Sequence, residues 1–447
     1  MPLPRPMRHL RLIGRVDRNF GWRDGRLTDA TLGDPAAPVP RRLLGAVACV
    51  GTGPAGQYRL LRDPLGLNKL FWSTANDHTI VVAARPHRLV EVGCAFESIR
   101  AIPPGTVVDC DLRRGVARVS RLSLGDAPAE LEHGEDLVAA LAARIRARLD
   151  GFFAALASAY PSARVFVCLS GGLDSAGIAV LAREHFRDVA AVSFDLQRAN
   201  RHISEDRQVA ERLARDLGLP LLAVTVTADE LLDALDTVLV EAVDWRDFNV
   251  HAALVNACLA RATADASADD GGCQALVLTG DLANEFLVDY RAETYRGKVY
   301  YRLPRIDPTT LRATLVRGLE TSHREVGPFE AWGLPVVQPY AVVADLLIAL
   351  PADFLAAPDR KDRLSRLVFG GRIPAYVHAR GKTRAQVGDS DPGCGVLAVC
   401  ADRGLDDQGL RQRYAELHGV RELGALDRFI RGGRYHSAIP LPEEASA

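Results

Sequence analysis

The segment Val165-Phe166-Val167-Cys168-Leu169-Ser170-Gly171-Gly172-Leu173-Asp174-Ser175 constrains this chain more than any other, because an apolar strand runs straight through two glycines into an amphipathic helix. At that junction the backbone can turn sharply with its N–H groups facing inward, and the helix adds the positive end of its dipole. The result is a cradle for an anion such as a polyphosphate. The hydroxyls of Ser170 and Ser175 can add hydrogen bonds, the amides of Gly171, Gly172 and Leu173 line the turn, and Asp174 can hold the magnesium that accompanies a nucleotide. The spacing is not that of a Walker loop, which needs Gly-x-x-x-x-Gly-Lys. A Gly-Gly pair between a strand and a helix is also met as a plain turn, so these residues alone leave both readings open.

The surrounding pattern extends the constraint. A second strand is expected over 189–194, carrying Ser193, then a helix over 205–217, a strand over 221–226, and a strand over 275–279 that leads into Gly280-Asp281. Strands alternating with long helices predict a doubly wound parallel sheet in an α/β fold, with ligands at the carboxyl ends of the strands. Ser170 and Gly280 both fall at that end, and Ser193 is a further candidate to bind the nucleotide. Upstream, residues 1–125 read as β-rich: apolar runs over 43–50, 58–61 and 79–84 are separated by Gly, Pro, Asp and Asn. A polar linker is expected over 123–136, and a helix over 137–160 with Leu137, Leu141, Ile145 and Leu149 at four-residue spacing. Two domains follow, 1–125 and 135–440, the second ending in a mostly helical part and a disordered tail after Pro440.

Composition excludes some partners. With 55 basic against 56 acidic residues and a net charge of -1, the chain has no electrostatic footprint for nucleic acid or an anionic membrane. A small-molecule or peptide substrate is expected instead. No apolar run approaches a membrane span and the start lacks a signal-peptide core, so the expected location is cytoplasmic. The eight cysteines are scattered without zinc spacing. Only Lys69, Lys298, Lys361 and Lys382 among the 55 basic residues are lysine. A GC-rich coding sequence accounts for the arginine excess but less well for where the lysines fall, since a lysine offers a compact ammonium that a guanidinium does not.

Several segments in order then resemble the synthetase domain of asparagine synthetase B. They are Ser170 to Ser175, Ser204-Glu205-Asp206, Thr279-Gly280-Asp281-Leu282-Ala283-Asn284-Glu285, Ala331-Trp332-Gly333-Leu334-Pro335, Gln338-Pro339-Tyr340, and the lysines 361 and 382. The run from Arg62 to Trp72 and Ile102-Pro103-Pro104-Gly105 resemble its glutaminase domain. The resemblance implies an amino-terminal, degenerate Ntn-hydrolase-like sandwich followed by an ATP-pyrophosphatase domain of the adenine nucleotide alpha hydrolase type. It also implies ATP and Mg2+ as cofactors, with AMP and pyrophosphate as products. The family's amino-terminal cysteine is matched here by Met1-Pro2, and no cysteine precedes Cys49, so glutamine hydrolysis is not expected. β-Lactam synthetases and lasso-peptide cyclases share that loss. The function implied is an AMP-forming carbon–nitrogen ligase that adenylates a carboxylate and joins it to an amine, in specialised-metabolite or modified-peptide biosynthesis. Its rivals are an amidotransferase fed ammonia by a partner and a nucleotide-binding scaffold subunit. The oligomeric state is open, with a homodimer among the options.

Residue by residue, the resemblance puts Asp281 where the family has a glutamate or tyrosine, and Asn284 where it has a metal-binding aspartate. Asp174 and Asn284 are then the metal ligands, with Glu285 or Asp289 able to supply the charge that Asn284 lacks. Lys361 aligns with a lysine that contacts the leaving pyrophosphate, and Lys382 with one that stabilises the developing oxyanion. Glu330, with Asp281, is a candidate for taking a proton from the amine, though helix capping is its commoner fate. Ser204-Glu205-Asp206 reads mainly as a helix start, and Asp195 and Asp247 are further candidates to face nucleotide or substrate.

Overall fold

The computed structural model describes residues 9–75, 78–125, 135–198, 202–269, 274–381 and 383–444. Pro2, most of the expected linker and Lys382 lie outside the described residues. The chain forms two compact units: Met1–Gly125, Arg317–His323 and Arg411–Ala447 make the first, and Asp126–Val316 with Arg324–Leu410 the second.

The first unit holds two four-stranded sheets. One runs His9–Leu12, Thr79–Ala83, Phe71–Thr74, Arg100–Ala101, and the other Val116–Arg121, Thr106–Asp111, Gln57–Arg62, Ala48–Thr52. Leu10, Ile80 and Val82 from the first sheet pack with Leu60, Val108 and Ala117 from the second, so the two faces share one apolar core. Leu61 and Val107 point the other way into a second cluster with Val47 and Leu122. That two-sided burial explains why this stretch reads as continuous apolar runs rather than a clean alternation. The Arg62–Lys69 motif is consumed by its own loop. Asp63 accepts from the backbone N–H groups of Val47, Leu67 and Asn68, while Arg62 donates to the carbonyls of Gly66, Asn68, Ile102 and Glu320.

The carboxyl-terminal segment differs from expectation. Ala101 exchanges hydrogen bonds with His436 and Ala438, Ala117 donates to Pro442, and Leu441 is buried in the core. Residues 441–444 are thus paired rather than a loose tail, and 411–447 belong to the first unit instead of continuing the 135–440 domain. Backbone pairing by a short proline-containing segment leaves no periodic signal in a sequence.

In the second unit the strands β1 (Arg164–Cys168), β2 (Val189–Leu196), β3 (Leu221–Val226), β4 (Ala275–Leu278) and β5 (Val336–Val337) form one parallel sheet in the order β3-β2-β1-β4-β5. Its helices include α1 (Glu135–Ala159), α2 (Leu173–His185), α3 (Glu205–Leu217), α4 (Asp247–Asp269), α5 (Ala283–Leu287) and α6 (Arg360–Phe369). Helix α3 starts on the Ser204 side chain, which accepts from the Arg207 N–H, and stops at Gly218 in the left-handed region. From β1 the chain winds to β2 and β3, then returns across the sheet to β4. Between β1 and β4 the winding reverses, and the loops leaving their carboxyl ends diverge around a crevice, the usual ligand position in such folds. Among the described residues no helix is long and apolar enough to cross a membrane.

Candidate active site

The crevice opens into a cavity of about 350 Å³ lined by both loops. On the β1 side, Gly171 adopts φ +74°, and a Cβ there would meet Val209 at 2.9 Å and the Asp206 carbonyl at 3.0 Å, so only glycine fits the turn. Gly172 is the first cap of α2 and no side chain caps it, which leaves the first-turn amides of a 13-residue helix for a ligand. Ser175 locks the turn: its hydroxyl lies 3.2 Å from the Ser170 N–H and from the Ser170 hydroxyl, and donates to the Gly172 carbonyl at 3.1 Å. On the β4 side, a Cβ on Gly280 would come within 2.7 Å of the Ser175 amide nitrogen. The absence of that carbon lets the second loop touch the first.

Where the loops meet, three oxygens converge on one ammonium. Lys361 Nζ, at the start of α6, donates to Asp174 Oδ2 at 2.6 Å, Asn284 Oδ1 at 2.6 Å and Asp289 Oδ2 at 2.9 Å. Burial opposes the charge on Lys361, but Asp174 and Asp289 outweigh it and hold the ammonium above its ordinary range. Three oxygen donors around one point are the kind of set magnesium takes. Asp174, Asn284 and Asp289 therefore fit a divalent cation, provided the ammonium moves onto the phosphates. Asp289 would supply the charge that Asn284 lacks, whereas Glu285 is held by Tyr290 and Arg324.

Asp281 is partly buried on the cavity wall. Burial first, and then the Glu325 carboxylate, push it up to about 7 against the pull of Arg324. A carboxyl poised there can accept a proton near neutral pH. Ser193, in β2, lines the cavity, its carbonyl accepting from Arg207 Nη1. Asp195 also lines the cavity, its carboxylate accepting from the backbone N–H of Ser204.

Among the described residues, two of those expected at the site are not on the cavity wall. Glu330 ends a single helical turn, Gly327–Glu330, and is not among the cavity-lining residues; Gly327 holds that turn hard against the backbone of Glu241, where a Cβ would meet a carbonyl at 2.2 Å. Asp247 is likewise not among them, and burial with the neighbouring Asp407 pushes it up to about 6. Asp206, read mainly as part of a helix start, faces the cavity and is bonded by Arg380 and by the Thr383 hydroxyl at 2.5 Å. Those two flank Lys382 in the Arg-Gly-Lys-Thr motif, so the motif carries a signal beyond its lysine.

The opposite wall is apolar. Phe248, Ala252, Val255 and Leu259 recur at helical spacing on α4 and line the cavity. Tyr290, Arg324 and Arg384 border the same end. The Arg384 guanidinium carbon lies 5.5 Å from the Phe248 ring centre, 5.2 Å from that of Tyr290 and 5.0 Å from that of Tyr301.

Residues 157–327, less than half of the chain, match the family model described as asparagine synthase. The match covers β1, the turn from Ser170 to Ser175 and the loop after β4, and it supports the superfamily read from those residues and an ATP-dependent ligase. No curated protein matches the chain. Among solved structures, the chain is similar to an NMN synthetase from Francisella tularensis at 13% identity and TM-score 0.31, covering 67% of this chain and 98% of that one. An NH3-dependent NAD synthetase from Campylobacter jejuni is 17% identical at TM-score 0.31, over 63% and 96%. A glutamine-dependent NAD+ synthetase from Acinetobacter baumannii is 17% identical at TM-score 0.30, over 74% and 53%. At those scores the structural likenesses carry no argument about this chain.

Proposed function

We propose that the protein is an ATP-dependent ligase that adenylates a carboxylate and joins it to an amine other than ammonia released from glutamine. The single observation that carries the reading is the junction of an uncapped α2 amino terminus with the Asp174, Asn284, Asp289 and Lys361 cluster: amides and an ammonium for phosphates, beside oxygens for a metal. In this reading the β and γ phosphates rest on the Ser170–Ser175 turn, and Asp174, Asn284 and Asp289 would hold a magnesium ion that would offset their charge. A substrate carboxylate oxygen attacks the α phosphorus. The bond to the bridging oxygen breaks and pyrophosphate leaves with the electron pair, Lys361 donating to it. The amine then attacks the acyl carbon, AMP departs with its electron pair, and Asp281 takes the proton the amine loses. The apolar α4 face suits the carbon skeleton of the acyl group.

The first unit supports a scaffold role for a glutaminase-like sandwich. Its cysteines, Cys49, Cys94 and Cys110, are all buried; burial pushes the Cys49 thiol up to about 11 and the Cys110 thiol up to about 12, and raises that of Cys94. None has the depressed value of a nucleophile. Asn284 also favours a second reading, a nucleotide-binding subunit without turnover, since an amide brings no charge to a metal.

Hydroxylamine separates the two, because it intercepts any acyl adenylate. With ATP, magnesium and a panel of carboxylic acids and peptides, the ligase forms a hydroxamate together with pyrophosphate. Nucleotide binding without pyrophosphate release across the panel would overturn the ligase in favour of the scaffold.

A further inference from the structure

His378 sits on the cavity wall with nothing in the motifs to mark it. Its side chain is 1% exposed, and its Nδ1 lies 2.6 Å from Asp362 Oδ1. Its Nε2 is buried without a hydrogen-bond partner. His87, His251 and His418 also each bury an unpaired ring nitrogen, but none of these is on the cavity wall. A buried polar atom left unpaired is costly, and beside a ligand cavity the economical explanation is a partner that arrives with the ligand.

The neighbourhood says which ligand. Asp362 follows Lys361 on α6, and Lys361 reaches Asp174 of the phosphate turn. On the other side, Arg380 follows His378 by two residues and donates to the Ser170 carbonyl at 3.4 Å and to Asp206. The His378–Asp362 bond therefore ties together two wall segments that both touch the phosphate turn. Burial works against ionisation of Asp362, yet hydrogen bonds from Arg366 and His378 hold it below its ordinary value, so it accepts and Nδ1 is the donor. With Nδ1–H committed to Asp362, Nε2 can donate only when the ring is an imidazolium.

We propose that His378 is a phosphate-binding residue, its imidazolium held by Asp362 and its Nε2–H donated to a non-bridging oxygen of the pyrophosphate that ATP loses. The inference rests on the ATP reading above and adds to it a second cationic contact, beside Lys361 and the helix amides, for the leaving group. No proton is transferred; the hydrogen bond shortens as negative charge gathers on the departing oxygens.

Two substitutions separate this from a structural role. Asparagine copies the Nδ1 donor and keeps the bond to Asp362, whereas glutamine places an amide N–H near Nε2. Calorimetric titration of ATP, inorganic pyrophosphate and AMP, each with magnesium, into the wild type, H378N and H378Q reads the difference. H378N should bind pyrophosphate and ATP about 10-fold more weakly, the scale of one charge-assisted hydrogen bond, with AMP within about 2-fold of wild type. H378Q should lie closer to wild type than H378N does. Unchanged pyrophosphate affinity in H378N, equal loss of AMP binding, or better binding by H378N than by H378Q would overturn the assignment. If the wild type itself bound neither ATP nor pyrophosphate, the ATP reading would fail, and this inference with it.

Discussion

Lys361 shows how far a single residue is legible from sequence and where legibility stops. In a chain that uses arginine for nearly every positive charge, its identity points to a compact ammonium, and the structure puts that ammonium among three oxygens. Lys69 is buried too, donating to the carbonyls of Gly66 and Leu319, while Lys298 is exposed. Removing the Lys361 ammonium leaves the Asp174 and Asp289 carboxylates facing each other with little access to water. Lys361→Met should therefore cost about 3–5 kcal/mol in denaturant unfolding, the scale for breaking a buried ion pair. Magnesium should restore more of the loss than it adds to the wild type, because the ammonium no longer occupies the point on which those oxygens converge. Equal effects of magnesium on both proteins would count against the metal site. His378 is not legible, since an imidazole next to a valine carries no motif and its significance lies in an orphaned nitrogen.

Asp281 makes a second prediction at this scale. Its carboxyl is held at about 7 in the folded chain, above its ordinary value of 3.8, so the fold stabilises the protonated form. The stability it contributes is present below the unfolded value and is lost as pH rises through about 7. D281N should consequently show a smaller fall in melting temperature between pH 5 and pH 8 than the wild type. Catalysis has the opposite sign, because only the ionised form can take a proton from the amine. The rate should fall as pH drops through about 7, and D281N should lower kcat by about 10²-fold and erase that limb. A wild-type profile flat across neutrality would remove Asp281 as the base.

At the scale of elements, the parallel sheet is readable because its strands are short apolar runs bounded by turn residues, and those of β1 to β4 fall within two residues of where the sequence puts them. The two-residue β5 is not, because pairing with β4 is settled by tertiary contact rather than by local pattern. Gly280 belongs to this scale, since its missing Cβ is what allows the β4 loop to rest on the first turn of α2. Gly280→Ala should force that backbone apart, and ATP affinity should fall by about 10-fold or more while the sheet remains folded by circular dichroism. Normal ATP binding in this variant would show that the two loops need not meet.

Over the whole molecule, the sequence divides the chain near residue 125 but does not show that 411–447 return to the first unit, a consequence of backbone pairing that side-chain patterns do not record. With the thiols of Cys49, Cys94 and Cys110 all buried in that unit, purified protein should release no glutamate from glutamine, with or without ATP. Measured release above background would reinstate a glutaminase. The central claim concerns which phosphate bond of ATP breaks in the second unit. It is tested most directly by ATP labelled at the α phosphate, incubated with magnesium, hydroxylamine and a carboxylate that forms a hydroxamate, with the nucleotide products separated by chromatography. The account predicts label in AMP, matched one to one by pyrophosphate and abolished in Asp174→Ala; label in ADP, with orthophosphate as the second product, would contradict it.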